Sequence, residues 1–238
     1  MPRRPWTGAS AAGAAGTGIT SPGCTPGTGP VSDGKTPIFV AKDGKDTNAG
    51  TEDAPLATVT AALTLAAKLV GKSSHLYLAE GTYDGALVLP DVEGLVIEGG
   101  YKHSGQTWTR TCDTTARDLV VLTATTATDN QPVVTAGNLV KGVSLIRLTV
   151  KTKDQGKKGE VGKTGETLIG VVVKGNGSKL SLDDVAVVVG KGGDGGDGIP
   201  GGAPPVAACD GLLDCEDGMN GTDGADGTAA PAGTFGEN

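Results

Sequence analysis

The sequence predicts an all-β fold in which short strands coil into a parallel β-helix of about three coils. Short runs rich in Val, Leu and Ile recur along residues 76–190, separated by Gly, Asp and Asn. Within a group the runs lie about ten residues apart, too close for the helical crossovers of a parallel βαβ sheet. Aromatic residues are only 3% of the chain, which suits a narrow lumen filled by aliphatic side chains. The alternative that these runs leave open is an antiparallel sandwich.

The first elements predict a cap for the N-terminal end of this stack. PIFVAKDG is a short strand that ends in a turn, and a loop with Gly50 and Pro55 follows it. Thr58 is the expected N-cap of a helix over residues 58–70, which Gly71 ends. The apolar residues of this helix fall on one face: Val59, Ala62, Leu63, Ala66, Leu69 and Val70.

Nine short apolar runs follow the helix and are the predicted strands of the coils. Their β-branched and leucine-rich composition favours pleated, buried structure. Long insertions between strands are tolerated in a solenoid because each coil stacks only on its neighbours. The runs are LYLAE at 76, ALVLP at 86, GLVIEGG at 94, DLVVLTA at 118, PVVTAG at 132, SLIRLTV at 144, LIGVVVKG at 168, KLSL at 179 and VAVVVG at 185.

The composition divides the chain into three parts. Residues 1–35, rich in Gly, Ala, Thr and Pro, are predicted to be a disordered linker or a remnant leader. Residues 36–198 form the β-helix domain. Residues 199–238 are a Gly/Asp-rich loop region, with the start of a further coil as the alternative reading. No second cap is evident, so either the chain is a fragment of a longer solenoid or residues 204–238 cover the end.

Three blocks of four Gly-X-Y triplets begin at Gly156, Gly192 and Gly218. A collagen triple helix is disfavoured because each block is short and the three hold a single proline, Pro200. Residues 192–200 also fit one nonapeptide of a calcium-binding β-roll with Asp197 as its aspartate, but that motif needs stacked copies. We therefore predict long Gly-rich loops extruded from successive coils.

The charge of the chain limits its partners. A net charge of −7 and a pI near 4.8 argue against nucleic acid, which needs clustered Lys and Arg. No stretch approaches the roughly 18 apolar residues of a transmembrane segment. No cofactor and no resident metal are expected, and calcium is the ion that the acidic composition leaves open. A monomer is expected.

The four cysteines are even in number. Cys209 and Cys215 flank DGLLD, and a local disulfide there would stabilise by roughly 2 kcal/mol on the chain-entropy estimate. Cys24 and Cys112 are left either to pair or to stay unpaired. A disulfide implies an oxidising compartment, so we expect a secreted or cell-surface protein.

Few residues suggest catalysis. Asp183 and Asp184 are the only adjacent acidic pair on a predicted strand, and a strand-to-turn role is the preferred interpretation. The lysines of residues 151–158 alternate with Asp154 and Glu160, as in a solvated loop. His75 and His103 have no acidic partner at motif spacing and are read as structural.

Three aromatic residues are the candidate ligand-binding surface. Tyr83, Tyr101 and Trp108 would form an exposed patch on which a carbohydrate could stack. The competing interpretation is that they cover the flank of the first coil.

Several motifs carry a resemblance to a known family. They are VAKDGKD at 40–46, GTEDAPLAT at 50–58, AEGTY at 79–83, VIEGGY at 96–101 and WTR at 108–110. Together they resemble bacterial right-handed parallel β-helix proteins of the pectin-lyase-like superfamily, closest to an uncharacterised extracellular subgroup with Gly-rich insertions. The resemblance covers roughly 36–198 and implies a right-handed stack capped by residues 38–71.

The resemblance leaves two functions open. The superfamily includes polysaccharide lyases and hydrolases, so a carbohydrate-active enzyme is the alternative. The hydrolases carry G-H-G and R-I-K segments, whereas here Arg147 lies in L-I-R-L and neither segment occurs. We therefore expect a non-catalytic extracellular or cell-surface scaffold, with polysaccharide or cell-surface matrix as its partner.

Overall fold

The structure is a computed structural model of the 238-residue chain, and it describes residues 25–27, 29–30, 33–69, 71–113, 115–125 and 130–198. These residues belong to one compact unit, Met1–Gly198. The predictions for most of the N-terminal part, for residues 199–238, for the Cys209–Cys215 disulfide and for the triplets from Gly218 lie outside the described residues.

The chain begins its regular structure with β1 (Thr36–Val40) and α1 (Val59–Lys68). The hydroxyl of Thr58 accepts a hydrogen bond of 3.1 Å from the backbone N–H of Ala61, so Thr58 is the N-cap. Gly71 follows with φ +74°, a conformation that glycine adopts without strain. The predicted helix is therefore present, and no other α-helix occurs in the described ranges.

Ten further strands follow. Most of their pairings are parallel, and β5 with β6 is the antiparallel exception. The strands are β2 (Ser74–Ala79), β3 (Gly81–Asp84), β4 (Leu87–Leu89), β5 (Leu95–Ser104), β6 (Thr107–Arg110), β7 (Val120–Thr123), β8 (Val134–Gly137), β9 (Val143–Lys151), β10 (Val171–Lys174) and β11 (Leu180–Val188).

The parallel strands stack as three ladders. The first runs β1–β2–β5 and continues through the first halves of β9 and β11. The second consists of β3, β7 and the second halves of β9 and β11. The third is a separate sheet, β4–β8–β10. The described part of the chain is thus mostly strand, with a parallel, curled main sheet, which is consistent with a parallel β-helix.

Two strands bend from the first ladder into the second. β9 pairs with β5 up to Ile146 and with β7 from Thr149, and Arg147 between them has φ +47°. β11 bends at the same level, at Asp184 with φ +51°. Both residues adopt the left-handed conformation that non-glycine residues rarely take. The stacked bends turn the chain from one face of the fold to the next.

One apolar core fills the space between the ladders. Alternate residues of each strand point into it, so Leu76 and Leu78 of β2 lie beside Leu95 and Ile97 of β5. The third ladder contributes Leu87, Leu89 and Val134, and the buried face of α1 joins the same cluster. Aliphatic residues carry nearly all of this core, as the low aromatic content predicts.

The sequence missed three features of this architecture. Strand β3 and the β5–β6 hairpin are absent from the predicted strands, because their residues mix polar and aromatic side chains. The runs at 179 and 185 are one strand, β11, which continues through Asp183 and Asp184.

Candidate functional site

The three aromatic residues proposed to bind carbohydrate are all buried. Tyr83 is 5% exposed, Tyr101 0% and Trp108 3%. Tyr83 lies in the core between the ladders, and its hydroxyl donates to the carbonyl of Ala79 at 2.9 Å. Tyr101 and Trp108 lie on the opposite face of the first ladder. The expectation of an exposed stacking patch is therefore wrong, because the rings serve packing on two different faces.

Tyr101 and Trp108 belong to an aromatic cluster beneath the β5–β6 hairpin, which also contains Phe39 and Tyr77. The rings of Phe39 and Trp108 meet edge to face with centroids 5.0 Å apart. Burial raises the pKa of Tyr77 to about 12, so its phenol is neutral at physiological pH. This is the flank-covering role that the competing interpretation gave to Tyr101 and Trp108.

Beside this cluster lies a buried ionic network with Glu98 of β5 at its centre. Glu98 is only 2% exposed, and its Oε1 contacts the guanidinium groups of Arg110 and Arg147. Its Oε2 lies 2.8 Å from Nε2 of His75, whose Nδ1 lies 3.0 Å from Oδ2 of Asp33. We call these five residues the Glu98 network. It joins β2, β5, β6, β9 and the segment before β1.

Burial and neighbouring charges shift the pKa values within the Glu98 network. Burial lowers the pKa of His75, while the hydrogen bond and charge of Asp33 oppose that shift. Burial would raise the pKa of Asp33, but hydrogen bonds from Lys35 and His75 outweigh it and lower the pKa to about 2. Both ring nitrogens of His75 already face a carboxylate oxygen. This arrangement connects four strands and leaves His75 no nitrogen for a substrate.

The adjacent aspartates lie at the bend of β11. Asp184 occupies the left-handed position, and its Oδ1 is 3.2 Å from NH1 of Arg117. Asp183 is exposed and pairs in register with Ile146. The charges of both carboxylates oppose the fall that burial causes in the pKa of Arg147, so the two lie near the same guanidinium group. The ion pair of Asp184 with Arg117 agrees with a structural role.

The remaining charged candidates are also engaged. Lys151 lies 3.0 Å from Asp154, and Lys153 lies 2.6 Å from Glu166. His103 has Nδ1 3.2 Å from Asp43. Both histidines thus meet carboxylates, but these come from distant parts of the chain rather than from a motif. No group of three or more potential metal ligands occurs within the described ranges.

The Gly-X-Y triplets that the structure describes do not form free loops. Residues 156–162, 163–167 and 190–198 lie side by side outside the β-strands, and we call them the glycine bundle. In the first segment, every third residue donates a backbone hydrogen bond to the segment 190–198. The N–H groups of Gly156, Gly159 and Gly162 donate to the carbonyls of Lys191, Asp194 and Asp197 at 2.8, 2.8 and 2.7 Å. A three-residue period is that of polyproline II and collagen geometry.

The third segment of the glycine bundle donates backbone hydrogen bonds to the second segment with the same three-residue period. The N–H of Gly193 donates to the carbonyl of Glu166 at 2.8 Å, and that of Gly196 to Lys163 at 2.9 Å. The N–H of Glu166 donates in turn to Lys157 of the first segment at 2.9 Å. All three segments are therefore tied to one another by their backbones.

Glycines line the axis of the bundle because no side chain fits there. A Cβ on Gly156 would lie 2.6 Å from the nitrogen of Gly193, and one on Gly159 would lie 2.5 Å from the carbonyl of Lys163. A Cβ on Gly193 or Gly196 would collide with the carbonyl oxygens of Lys157 or Glu160. A glycine at every third position thus lines an axis inside a single chain. In the third segment these are Gly193 and Gly196, each one residue after the Gly192 and Gly195 of the predicted triplets.

Most charged residues of the bundle point outward, and the buried Glu166 is the exception. Lys158 pairs with Asp197 at 2.9 Å, and Lys191 with Asp194 at 3.2 Å. Asp197 is therefore paired with a lysine. The sequence did not predict this arrangement, although the repeated glycine at every third position was the available signal.

Cys112 is buried and disulfide-bonded. Its partner lies outside the described residues. No helix there has the length and apolar character of a membrane-spanning segment.

Comparison with known proteins gives one similarity. Residues 42–118 match the model of a family described as a protein of unknown function, DUF1565, which is associated with β-helix proteins. The match covers α1 and the five strands β2 to β6, including the β5–β6 hairpin, but not β1. No curated protein and no solved structure matches the chain.

Proposed function

We propose that this chain is a non-catalytic extracellular or cell-surface scaffold, built as a right-handed parallel β-helix of the pectin-lyase-like superfamily. The three ladders would then be the faces of about three coils, with β11 opening a further one. A right-handed course agrees with the handedness of nearly all parallel β-crossover-β connections. The match of residues 42–118 to a family associated with β-helix proteins supports the same architecture.

The Glu98 network is the observation that carries the non-catalytic assignment. Buried carboxylates and a histidine are the groups expected of an acid–base site. In this protein they are paired with opposite charges, since Glu98 contacts three cationic or ionisable partners and His75 lies between two carboxylates. The pairing is by charge, because Nε2 of His75 and Nη2 of Arg147 make no hydrogen bond to the described residues. A network of this kind fixes strands in place, and the exposed surface is left for binding.

The glycine bundle supports a role in contact with another surface. It places charged side chains outward on a backbone that is held by hydrogen bonds rather than by an apolar core. Such a surface suits polysaccharide or cell-surface matrix, while the disulfide of Cys112 suits an oxidising, secreted location.

Co-sedimentation with insoluble matrix polysaccharide or with intact cells tests the proposal. We expect the protein to be retained by the surface and to release neither unsaturated nor reducing ends from pectate, alginate or other acidic glycans. Asp53→Ala, at an exposed position, is the control. If the protein degrades a glycan, and Asp184→Ala abolishes this activity while Asp53→Ala preserves it, the protein is a carbohydrate-active enzyme and the scaffold proposal is wrong.

A further inference from the structure

A cleft of about 460 Å³ lies at the start of strands β5, β9 and β11. It runs across three neighbouring strands of the first ladder, which at a strand spacing of about 4.8 Å makes it roughly 10 Å wide. Eleven residues line it: Lys35, Gly94, Leu95, Val96, Lys141, Gly142, Val143, Ser144, Lys179, Leu180 and Ser181.

The charge of this lysine cleft is opposite to that of the chain. Its lining holds three lysines and no acidic residue, whereas the whole chain carries a net charge of −7. Lys35 is neutralised by Asp33, whose Oδ2 lies 2.7 Å from its Nζ. Lys141 and Lys179 are exposed, and neither has a salt-bridge partner among the residues that the structure describes. Two lysines without a salt-bridge partner therefore flank the cleft, and the nearby carboxylate of Asp91 accepts a hydrogen bond of 2.9 Å from the backbone N–H of Lys141.

The strand register places the other polar groups of the cleft. Ser144 of β9 pairs with Ser181 of β11, so their side chains leave the sheet on the same face in adjacent positions. Gly142, with φ +84°, lies against Lys179, because an added Cβ would be 3.7 Å from the Cβ of that lysine. The missing side chain leaves space for the lysine stem at the rim.

We propose that the lysine cleft binds a linear polyanion that carries tetrahedral oxyanions, either sulfate or phosphate groups. A sulfate or phosphate monoester presents three acceptor oxygens, whereas a carboxylate presents two, so the lysine ammonium groups and serine hydroxyls find more acceptors on the tetrahedral ion. The cleft lining offers lysines and serine hydroxyls and no arginine. This inference rests on the proposed surface-binding function and names the chemistry of its partner.

Titration with long-chain polyphosphate, heparin, polygalacturonate and neutral dextran at several salt concentrations tests the inference on the full chain. The cleft variant is Lys141→Gln with Lys179→Gln. The matched control is Lys45→Gln with Lys102→Gln, two exposed lysines outside the cleft lining that change the net charge equally. Because all four side chains are exposed, both variants should fold like the wild type.

We expect the wild type to bind heparin or polyphosphate more tightly than polygalacturonate. Tighter binding of heparin would identify sulfate as the recognised group, and tighter binding of polyphosphate would identify phosphate. The cleft variant should bind about tenfold more weakly, with a salt dependence reduced by about one to two released counterions. The control should keep the wild-type slope.

Three results would overturn the inference: equal losses in the two variants, tighter binding to polygalacturonate, or no binding to either oxyanion polymer. If the wild type still co-sediments with matrix polysaccharide in those cases, the surface-binding function stands without this cleft. If the wild type binds neither the soluble polyanions nor the matrix polysaccharide, both proposals are wrong.

Discussion

The stacked β-strands and the glycine bundle pack their backbones in opposite ways. Between the ladders, Leu145, Leu148 and their neighbours are fully buried and fill the lumen with aliphatic side chains. In the glycine bundle, the interior positions carry no side chain, and backbone meets backbone directly. The β-region is therefore stabilised by apolar burial, and the bundle by hydrogen bonds that close contact makes possible.

The two regions consequently differ in what damages them. A truncation harms the β-region because it leaves a cavity or an unpaired charge. An added methyl group harms the glycine bundle because its axis has no room. Matched substitutions should separate these two mechanisms.

The largest effect is expected from the Glu98 network. Glu98→Ala leaves the guanidinium groups of Arg110 and Arg147 without their buried carboxylate, which should lower the free energy of unfolding by about 3–5 kcal/mol. Chemical denaturation measures it. Glu93→Ala, at an exposed position in the turn before β5, is the control and should stay within about 0.5 kcal/mol. A loss no larger than that of the control would mean that the network is not a buried electrostatic unit; Glu98→Gln tests the same point if the alanine variant does not fold.

A smaller effect is expected in the glycine bundle. Gly196→Ala brings a methyl group against the carbonyl of Glu160 and should cost about 1–3 kcal/mol. The loss should appear as faster hydrogen exchange at the N–H groups of Gly159 and Gly162. Gly195→Ala is the matched control because nothing lies within 4 Å of its added Cβ. If both variants exchange like the wild type, the triplets are simple loops after all.

The smallest effect is expected from pH. Burial lowers the pKa of His75 below its ordinary value of 6.5, so the unfolded chain binds that proton more readily than the folded one. The contribution of His75 to the free energy of unfolding is therefore complete above about pH 6.5 and decreases as the pH falls toward the folded-state pKa. The lowered pKa of Asp33 adds a second loss of stability as the pH falls from 3.8 to about 2. Denaturation at a series of pH values should show both steps.

A histidine pair makes the pH measurement specific. His75→Gln should remove the step that begins near pH 6.5, and His103→Gln should retain it. Retention of the step in His75→Gln would assign it to another group.

The sequence predicted those parts of the fold that depend on local pattern. Thr58, the apolar face of α1 and Gly71 mark the helix, and the Val- and Leu-rich runs mark most of the strands. Local pattern could not place the bends of β9 and β11, because the left-handed conformation of Arg147 and Asp184 is uncommon for any residue other than glycine. Only the stacking of neighbouring strands specifies them.

The sites were less predictable than the fold because their partners are far apart along the chain. Glu98 and Arg147 each interrupt an apolar run, which was a usable sign of buried charge, but their contact requires two coils to be in register. The glycine triplets were visible, yet a hydrogen bond between Gly159 and Asp194 appears only when two distant segments lie side by side. The three candidate aromatic residues led to a different error. Their type suggested an exposed ligand-binding surface, whereas their packing buries them.

The passage from β11 into the glycine bundle bears on self-association. Along its outer edge β11 has no partner strand among the described residues, and Val187 and Val188 are 44% and 46% exposed. An open edge of this kind is a template for the strands of other molecules, and through them for fibrils. At Gly190 the backbone leaves the two-residue pleat for a three-residue period, and a Cβ there would collide with the carbonyls of Lys153 and Asp154. The template therefore ends where the bundle begins. There the N–H groups of every third residue are already bonded within the molecule, so the same glycines that build the bundle also limit fibril growth.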